Sequence, residues 1–123
     1  MPLTYVIDKS RRIVISTGSG ILTGSEALEH RKMLREDPDF DPSFCQLIDL
    51  TAITSMSMDA QVVRQMGAVN IFNPESRRAA VASSDLAVGL MRMITTYGDI
   101  SGQYRRTRLF REREEALEWL FHA

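Results

Sequence analysis

The sequence is poor in the residues that build several common kinds of protein. It has one cysteine, Cys45, which cannot form a disulfide within the chain. It has two histidines, at 30 and 122, and no group of His, Cys and acidic residues has the spacing of zinc ligands. The apolar runs are too short to span a bilayer, and the first residues lack the pattern of a signal peptide. We therefore expect a cytoplasmic protein without a metal or other cofactor.

Neither sign of charge dominates. The 15 basic and 16 acidic residues give a formal net charge of −1, which offers no overall attraction to nucleic acid or to anionic lipid. We expect neither nucleic-acid binding nor membrane insertion. The length of 123 residues, with 44% hydrophobic and 25% charged residues, is typical of one soluble globular domain. The pattern therefore predicts a single domain over 1–123.

Strand-like and helix-like segments alternate along most of the chain. The order is β-β-α-β-α-β-α-β-α, which predicts a mixed, largely parallel sheet of about five strands flanked by four helices. The first two strands form a hairpin, and Thr23-x-x-Glu26 has the form of a helix capping box. The predicted strands are 3–8, 12–17, 45–50, 77–83 and 103–111, and the predicted helices are 24–36, 58–70, 85–97 and 112–121.

Three segments carry a family resemblance: "DLTAITSMSMDA" (49–60), "VGLMRM" (88–93) and "LFREREEALEWL" (109–120). In this order they resemble the SpoIIAA-like group, which comprises the STAS domains of anti-sigma factor antagonists and their uncharacterised bacterial relatives. The resemblance covers essentially the whole chain. It implies a SpoIIAA-like α/β fold and a non-catalytic regulatory or protein-interaction module with a protein partner.

In the antagonists, a serine that begins the helix after Asp-Leu-Ser is phosphorylated, and this switches partner binding. Here Asp49 matches the family aspartate, Thr51 replaces the serine, and Met58 occupies the phospho-acceptor position. A thioether cannot be phosphorylated, so the resemblance implies a module without the usual switch, with Ser57 as an alternative acceptor. The implied partner or regulatory loop consists of Asp49, Thr51, Thr54, Ser55, Ser57, Met58 and Asp59.

The same loop also has a purely structural interpretation. Ser57 is a good N-cap for a helix over 58–70, and Asp59 in the first turn would complement the helix dipole. Met58 could pack on the sheet, since methionine fills irregular gaps. The residues favour this capping role over a phosphorylation site.

The helix predicted over 85–97, with Gly98 as its C-terminal cap, has almost no polar face. A helix packed on one side of a sheet needs only an apolar stripe, so part of this surface should be covered from outside. We expect a homodimer. The alternative is a carrier or sensor of a small apolar or lipid-like ligand, because the related CRAL-TRIO domain binds lipids. The candidate residues are Leu86, Leu90, Met91, Met93, Ile94 and Tyr97.

The remaining motifs favour structural roles. "GSGILTG" (18–24) departs from the dinucleotide-binding fingerprint and predicts a turn or bulge. His30 is expected at the boundary of the core, and a buried Cys45 would be inert. Arginines 105, 106, 108 and 111 on the last strand either protect a sheet edge or form an anion-binding patch. No nucleophile–base pair or acid pair can be assembled, so we do not expect an enzyme.

Overall fold

A computed structural model describes residues 3–102 and 106–122 and has the predicted order of elements. The chain forms a five-stranded sheet with four helices, so the α/β fold class is confirmed. The strands are β1 (Leu3–Asp8), β2 (Ile13–Thr23), β3 (Cys45–Ser57), β4 (Arg78–Val81) and β5 (Thr107–Phe110). The helices are α1 (Gly24–Glu36), α2 (Ala60–Ala68), α3 (Asp85–Ser101) and α4 (Arg113–Phe121).

The strands lie in the sheet in sequence order, β1-β2-β3-β4-β5. The β1–β2 hairpin is antiparallel, and the remaining pairs are parallel. Side chains alternate between the two faces of a strand, so each face has its own core. On one face Leu47 packs with Ala116 of α4, and on the other Leu50 packs with Val63 of α2 and Met91 of α3. Both faces of the middle strand are therefore covered.

The two strands at the centre are longer than their sequence pattern predicts. β2 does not stop at residue 17 but runs to Thr23, with irregularities in its register between Thr17 and Ser19 and between Gly20 and Ile21. The segment "GSGILTG" is thus a bulged strand, which confirms the predicted bulge and corrects the predicted end of the strand. β3 continues to Ser57, so the predicted loop from residue 51 onward is wrong. Pairing between the two strands as far as Thr23 opposite Ser57 gives both of them backbone partners on one side over this length.

The start of α2 also differs from the prediction. The helix begins at Ala60, and its N-cap is Asp59, whose Oδ1 accepts a hydrogen bond of 2.9 Å from the Val62 amide. The prediction of Ser57 as N-cap is therefore wrong, because Ser57 is still paired within β3. The capping box of α1 is confirmed, with the Thr23 side chain and Glu26 bonded to each other's backbone.

Helix α3 is one turn longer than predicted and contains Gly98 inside it. The prediction of Gly98 as a C-cap is wrong, and its role is close packing. A Cβ on Gly67 of α2 would lie 3.2 Å from the Gly98 amide, so the two helices cross where both lack side chains. Strand β4 is shorter than predicted, and part of the predicted last strand, including Arg105, lies outside the described residues.

Candidate functional site

One of the three segments that carry the resemblance, residues 49–60, continues past the point where β3 pairs with β4. β4 pairs with residues 46–49 of β3, whereas β2 pairs with β3 as far as Ser57. We call residues 51–57 the β3 extension. Ile53 and Met56 of this extension are buried against the core around Leu50. The other residues of the β3 extension are exposed, and most of them carry hydroxyl groups: Thr51, Ala52, Thr54, Ser55 and Ser57.

Asp49, at the base of the β3 extension, is held by three hydrogen bonds. Its Oδ2 accepts a hydrogen bond of 2.6 Å from Nη1 of Arg113, and the two side chains form an ion pair. Its Oδ1 accepts hydrogen bonds from the Thr51 amide at 3.0 Å and the Thr51 hydroxyl at 2.6 Å. Burial alone would raise the pKa of Asp49, but the hydrogen bonds from Thr51 and Arg113 outweigh it and lower that pKa. Asp49 is thus an ionised residue that connects the base of the β3 extension to α4.

Beyond the strand, Met58 is partly buried and packs against the core, as the structural interpretation of the loop predicts. Asp59 is exposed and caps α2. The seven candidate residues of this segment therefore divide by environment. Thr54, Ser55 and Ser57 are exposed to solvent, whereas the other four have structural contacts: Asp49, Thr51, Met58 and Asp59.

The outer face of α3 carries a regular apolar stripe. Its members follow one another at intervals of four, three, four and three residues, the spacing of a coiled-coil seam. Leu86 is 57% exposed, Met93 46% and Ile100 79%, while Leu90 and Tyr97 are partly buried. Sequence reasoning missed Ile100 because it ended the helix at residue 97. We call these five residues the α3 outer stripe: Leu86, Leu90, Met93, Tyr97 and Ile100.

Two of the predicted surface residues of α3 lie inside the protein. Met91 and Ile94 are buried in the core with Ala87 and Val88. They cannot meet a partner on the outside of the helix. Both line a cavity between the sheet and helices α1, α2 and α3. The six residues proposed from the helix pattern therefore fall into two groups. Four belong to the α3 outer stripe, whereas Met91 and Ile94 line the cavity.

This cavity has a volume of about 90 Å³ and a mostly apolar wall. Four methionines contribute to it, one from β3, one from the β3–α2 connection, one from α2 and one from α3. Its polar wall is formed by side chains from α1, β3, β4 and the α2–β4 connection. The apolar lining includes Leu22, Leu34, Met56, Met58, Met66, Phe72, Met91 and Ile94, and the polar lining includes His30, Arg31, Gln46, Asn70 and Arg78.

A chain of hydrogen bonds connects the polar wall to the sheet. The Gln46 side-chain amide donates to Oγ of Ser16 at 3.0 Å, and Ser16 Oγ lies 3.0 Å from Nε2 of His30. Nε of Arg78 donates to Oε1 of Gln46 and Nη1 to Oδ1 of Asn70, both at 3.0 Å. Burial, and then the charge of Arg78, lower the pKa of His30 to about 4. His30 is therefore a neutral core residue rather than the boundary residue predicted.

The described residues contain no group of three or more His, Cys, Asp or Glu side chains that could hold a metal ion. Cys45 is partly buried, and burial raises the pKa of its thiol, which disfavours the reactive thiolate. In the part of the chain that the structure describes, no helix has both the length and the apolar character needed to cross a membrane.

No family model matches the chain, and no curated protein matches it. A solved structure does match: an uncharacterised protein of the DUF3478 family from Shewanella loihica PV-4, described as having a SpoIIAA-like fold. It is 19% identical, the alignment covers 96% of this chain and 93% of that one, and the TM-score is 0.62. This likeness shows the fold alone, and it confirms the fold implied by the sequence resemblance. The chain has a SpoIIAA-like α/β fold.

Proposed function

We propose that the protein is a non-catalytic, STAS-like interaction module that forms a homodimer through the α3 outer stripe. The observation that carries this proposal is the row of five apolar residues along α3 at coiled-coil spacing. Leu86, Met93 and Ile100 of this row are exposed, whereas Leu90 and Tyr97 also pack against the core. A helix that contacted only its own sheet would need one apolar stripe. This helix has two, the buried one that contains Ala87, Met91 and Ile94, and the outer one.

A second copy of the chain suits the outer stripe better than a different partner. The stripe is centred on Met93, with two apolar residues on either side, so it is self-complementary when two helices pack antiparallel about a two-fold axis. Charged residues are absent from the stripe itself, as they are from the seam of a coiled coil. Burying one such side chain fully contributes about 1.5 to 3 kcal/mol, so several together could hold two subunits.

Within this proposal, the β3 extension is the surface offered to a further protein partner. The exposed, uncharged hydroxyl groups of the β3 extension support this role, because they lie at the position where the antagonists meet their partners. Met58 removes the usual phospho-acceptor, and Ser57 is the exposed hydroxyl nearest to it in sequence. The partner would therefore recognise a constant surface, unless Ser57 takes over as the modified residue.

Analytical ultracentrifugation of the full chain tests the homodimer. The wild type should sediment as a dimer, and Met93→Glu should convert it to a monomer because the glutamates would meet at the centre of the seam. Val6→Glu is the matched control, since Val6 is a 67% exposed apolar residue on β1, away from α3. A monomeric wild type, or a Met93→Glu protein that remains dimeric, would overturn the proposed pairing.

A further inference from the structure

The cavity beneath α3 has the character of a binding site for a small amphiphilic molecule. We propose that it binds a short-chain carboxylate, with the hydrocarbon part among the methionines and the carboxylate at the polar wall beside Arg78. The cavity lies on the inner side of α3, and none of the five residues of the α3 outer stripe lines it. The inference therefore does not depend on the proposed dimer.

The size of the cavity restricts the ligand. Benzene, with six non-hydrogen atoms, occupies a protein cavity of about 150 Å³, and the same ratio gives roughly four atoms for this one. Acetate has four non-hydrogen atoms and propionate five, so a carboxylate of two or three carbons is close to this size. The methionine side chains have several low-energy rotamers, so the apolar wall can adapt to one or two further atoms.

The apolar wall determines where the hydrocarbon would lie. Met56, Met91 and Ile94 are buried side chains of the core that also line the cavity. A methyl or methylene group placed among them would be removed from water, at about 0.8 kcal/mol for each methylene. A purely polar ligand would gain nothing from this wall.

The polar wall favours an anion over a cation. Arg31 and Arg78 contribute guanidinium groups, and the described residues that line the cavity include no Asp or Glu. Gln46 and Asn70 accept hydrogen bonds from Arg78 through neutral amide oxygens. A carboxylate is a stronger acceptor for a guanidinium than an amide oxygen is. It can therefore replace the oxygen of Gln46 or Asn70 on Arg78, and no additional N–H group is needed. The charge of Arg78 already acts in this interior, since it helps to lower the pKa of His30.

We infer that the entry route lies at the end of α2. Val69 follows this helix, lines the cavity and is 47% exposed, so it lies between the cavity and solvent. Nη1 of Arg31 donates to the backbone carbonyls of Gln65 and Val69, at 3.2 and 3.3 Å. These bonds attach α1 to the end of α2 at the rim. Their exposure means that they can open at little cost, which would widen the entrance.

Amide NMR titration of the full chain tests the proposal. Sodium propionate should give saturable shifts at residues lining the cavity, whereas sodium chloride and 1-propanol should give none at matched concentration. Arg78→Met should weaken propionate binding about tenfold or more, as loss of a charge-assisted hydrogen bond requires. Arg64→Met, an exposed arginine of α2 outside the cavity, should bind like the wild type.

Because Arg78 also bonds to Gln46 and Asn70, a second variant that leaves these bonds intact gives an independent test. Met56→Ala enlarges the cavity on its apolar side and leaves the charged groups unchanged. It should shift the binding preference from propionate toward longer carboxylates such as hexanoate. Equal responses to propionate and 1-propanol would overturn the carboxylate assignment. The absence of saturable shifts in both the wild type and Met56→Ala would overturn the site itself. Neither result bears on the dimer.

Discussion

Arg113 on α4 donates to Asp49 at 2.6 Å and so joins the last helix to the middle strand of the sheet. The Asp49 side chain is only 12% exposed, which leaves its carboxylate largely out of water. The sequence resemblance places this aspartate in a segment that meets partners. Its geometry instead gives it a structural role at the base of that segment, since both carboxylate oxygens are occupied within the chain.

Arg113→Gln should therefore lower the free energy of unfolding by about 1 to 2 kcal/mol, because it leaves a mostly buried carboxylate without its charged partner. Urea denaturation at neutral pH measures this. Arg111→Gln is the control: Arg111 pairs with Asp85, whose side chain is 98% exposed, and such surface pairs contribute about 0 to 1 kcal/mol. Equal losses in the two variants would contradict the structural role of the Asp49–Arg113 pair.

The cap of α2 gives a second prediction: substitutions of Asp59 and of the nearby Ser57 should differ in their effect on stability. Asp59→Ala should destabilise the protein by about 1 kcal/mol, because the Val62 amide loses its acceptor. Ser57→Ala should change stability by less than about 0.5 kcal/mol, since Ser57 is an exposed residue of β3 whose backbone pairing the change preserves. Thermal unfolding of both variants decides between the two caps, and a larger loss for Ser57→Ala would restore the capping role predicted from the sequence.

The crossing of α2 and α3 predicts opposite effects for two glycine substitutions. A Cβ at Gly67 would overlap Cβ of Tyr97 and lie 2.7 Å from the Ile94 carbonyl oxygen. Gly67→Ala should therefore force the helices apart and cost about 1 to 3 kcal/mol. Gly89, in the middle of α3, has open space around a new Cβ, so Gly89→Ala should stabilise the protein by up to about 1 kcal/mol. Losses of similar size in both variants, measured by urea denaturation, would be inconsistent with this close helix crossing.

The element order could be predicted from the sequence because it depends on local patterns. Alternating apolar segments and the Thr23–Glu26 capping box are local, and the structure has the element order and the cap that they predict. The length of β3 could not be predicted in this way. Residues 51–57 carry few apolar side chains, and they form a strand because β2 pairs with them. Strand pairing over such a distance leaves no signal in a single sequence.

The buried network is the other feature that sequence reasoning missed. Ser16, Gln46 and Arg78 are polar residues within three different strands, and alternation alone gives no reason to place them together. Their positions follow from the sheet order, since β3 lies between β2 and β4 and Gln46 pairs with both Val14 and Arg78. His30 then completes the network from α1. A helix pattern identifies its inner face, as for Ala27 and Leu34, but not the polar group that it meets there.

The burial of His30 gives the protein a predicted loss of stability in mild acid. In the unfolded chain the imidazole takes up a proton near pH 6.5, whereas in the folded state its pKa is about 4. As the pH falls from 6.5 to 4, the unfolded state therefore binds a proton that the folded state does not, and unfolding becomes easier by up to about 1.4 kcal/mol per pH unit. The groups that face this ring include Arg78, which opposes its protonation, and Tyr5, whose pKa is raised to about 12 and which stays neutral.

Urea denaturation between pH 7 and pH 4.5 tests this with His30→Gln, which removes the titrating group but keeps a polar side chain of similar size. The variant should be less stable at pH 7, because the bond to Ser16 is altered, yet its stability should change less with pH than that of the wild type. His122→Gln, at an exposed position, should retain the wild-type slope. Asp49 does not interfere with the comparison, because, against the effect of burial, the hydrogen bonds from Thr51 and Arg113 lower its pKa from the usual aspartate value and its contribution is lost only in stronger acid. A wild-type slope in His30→Gln would show that the imidazole is not held neutral in the core.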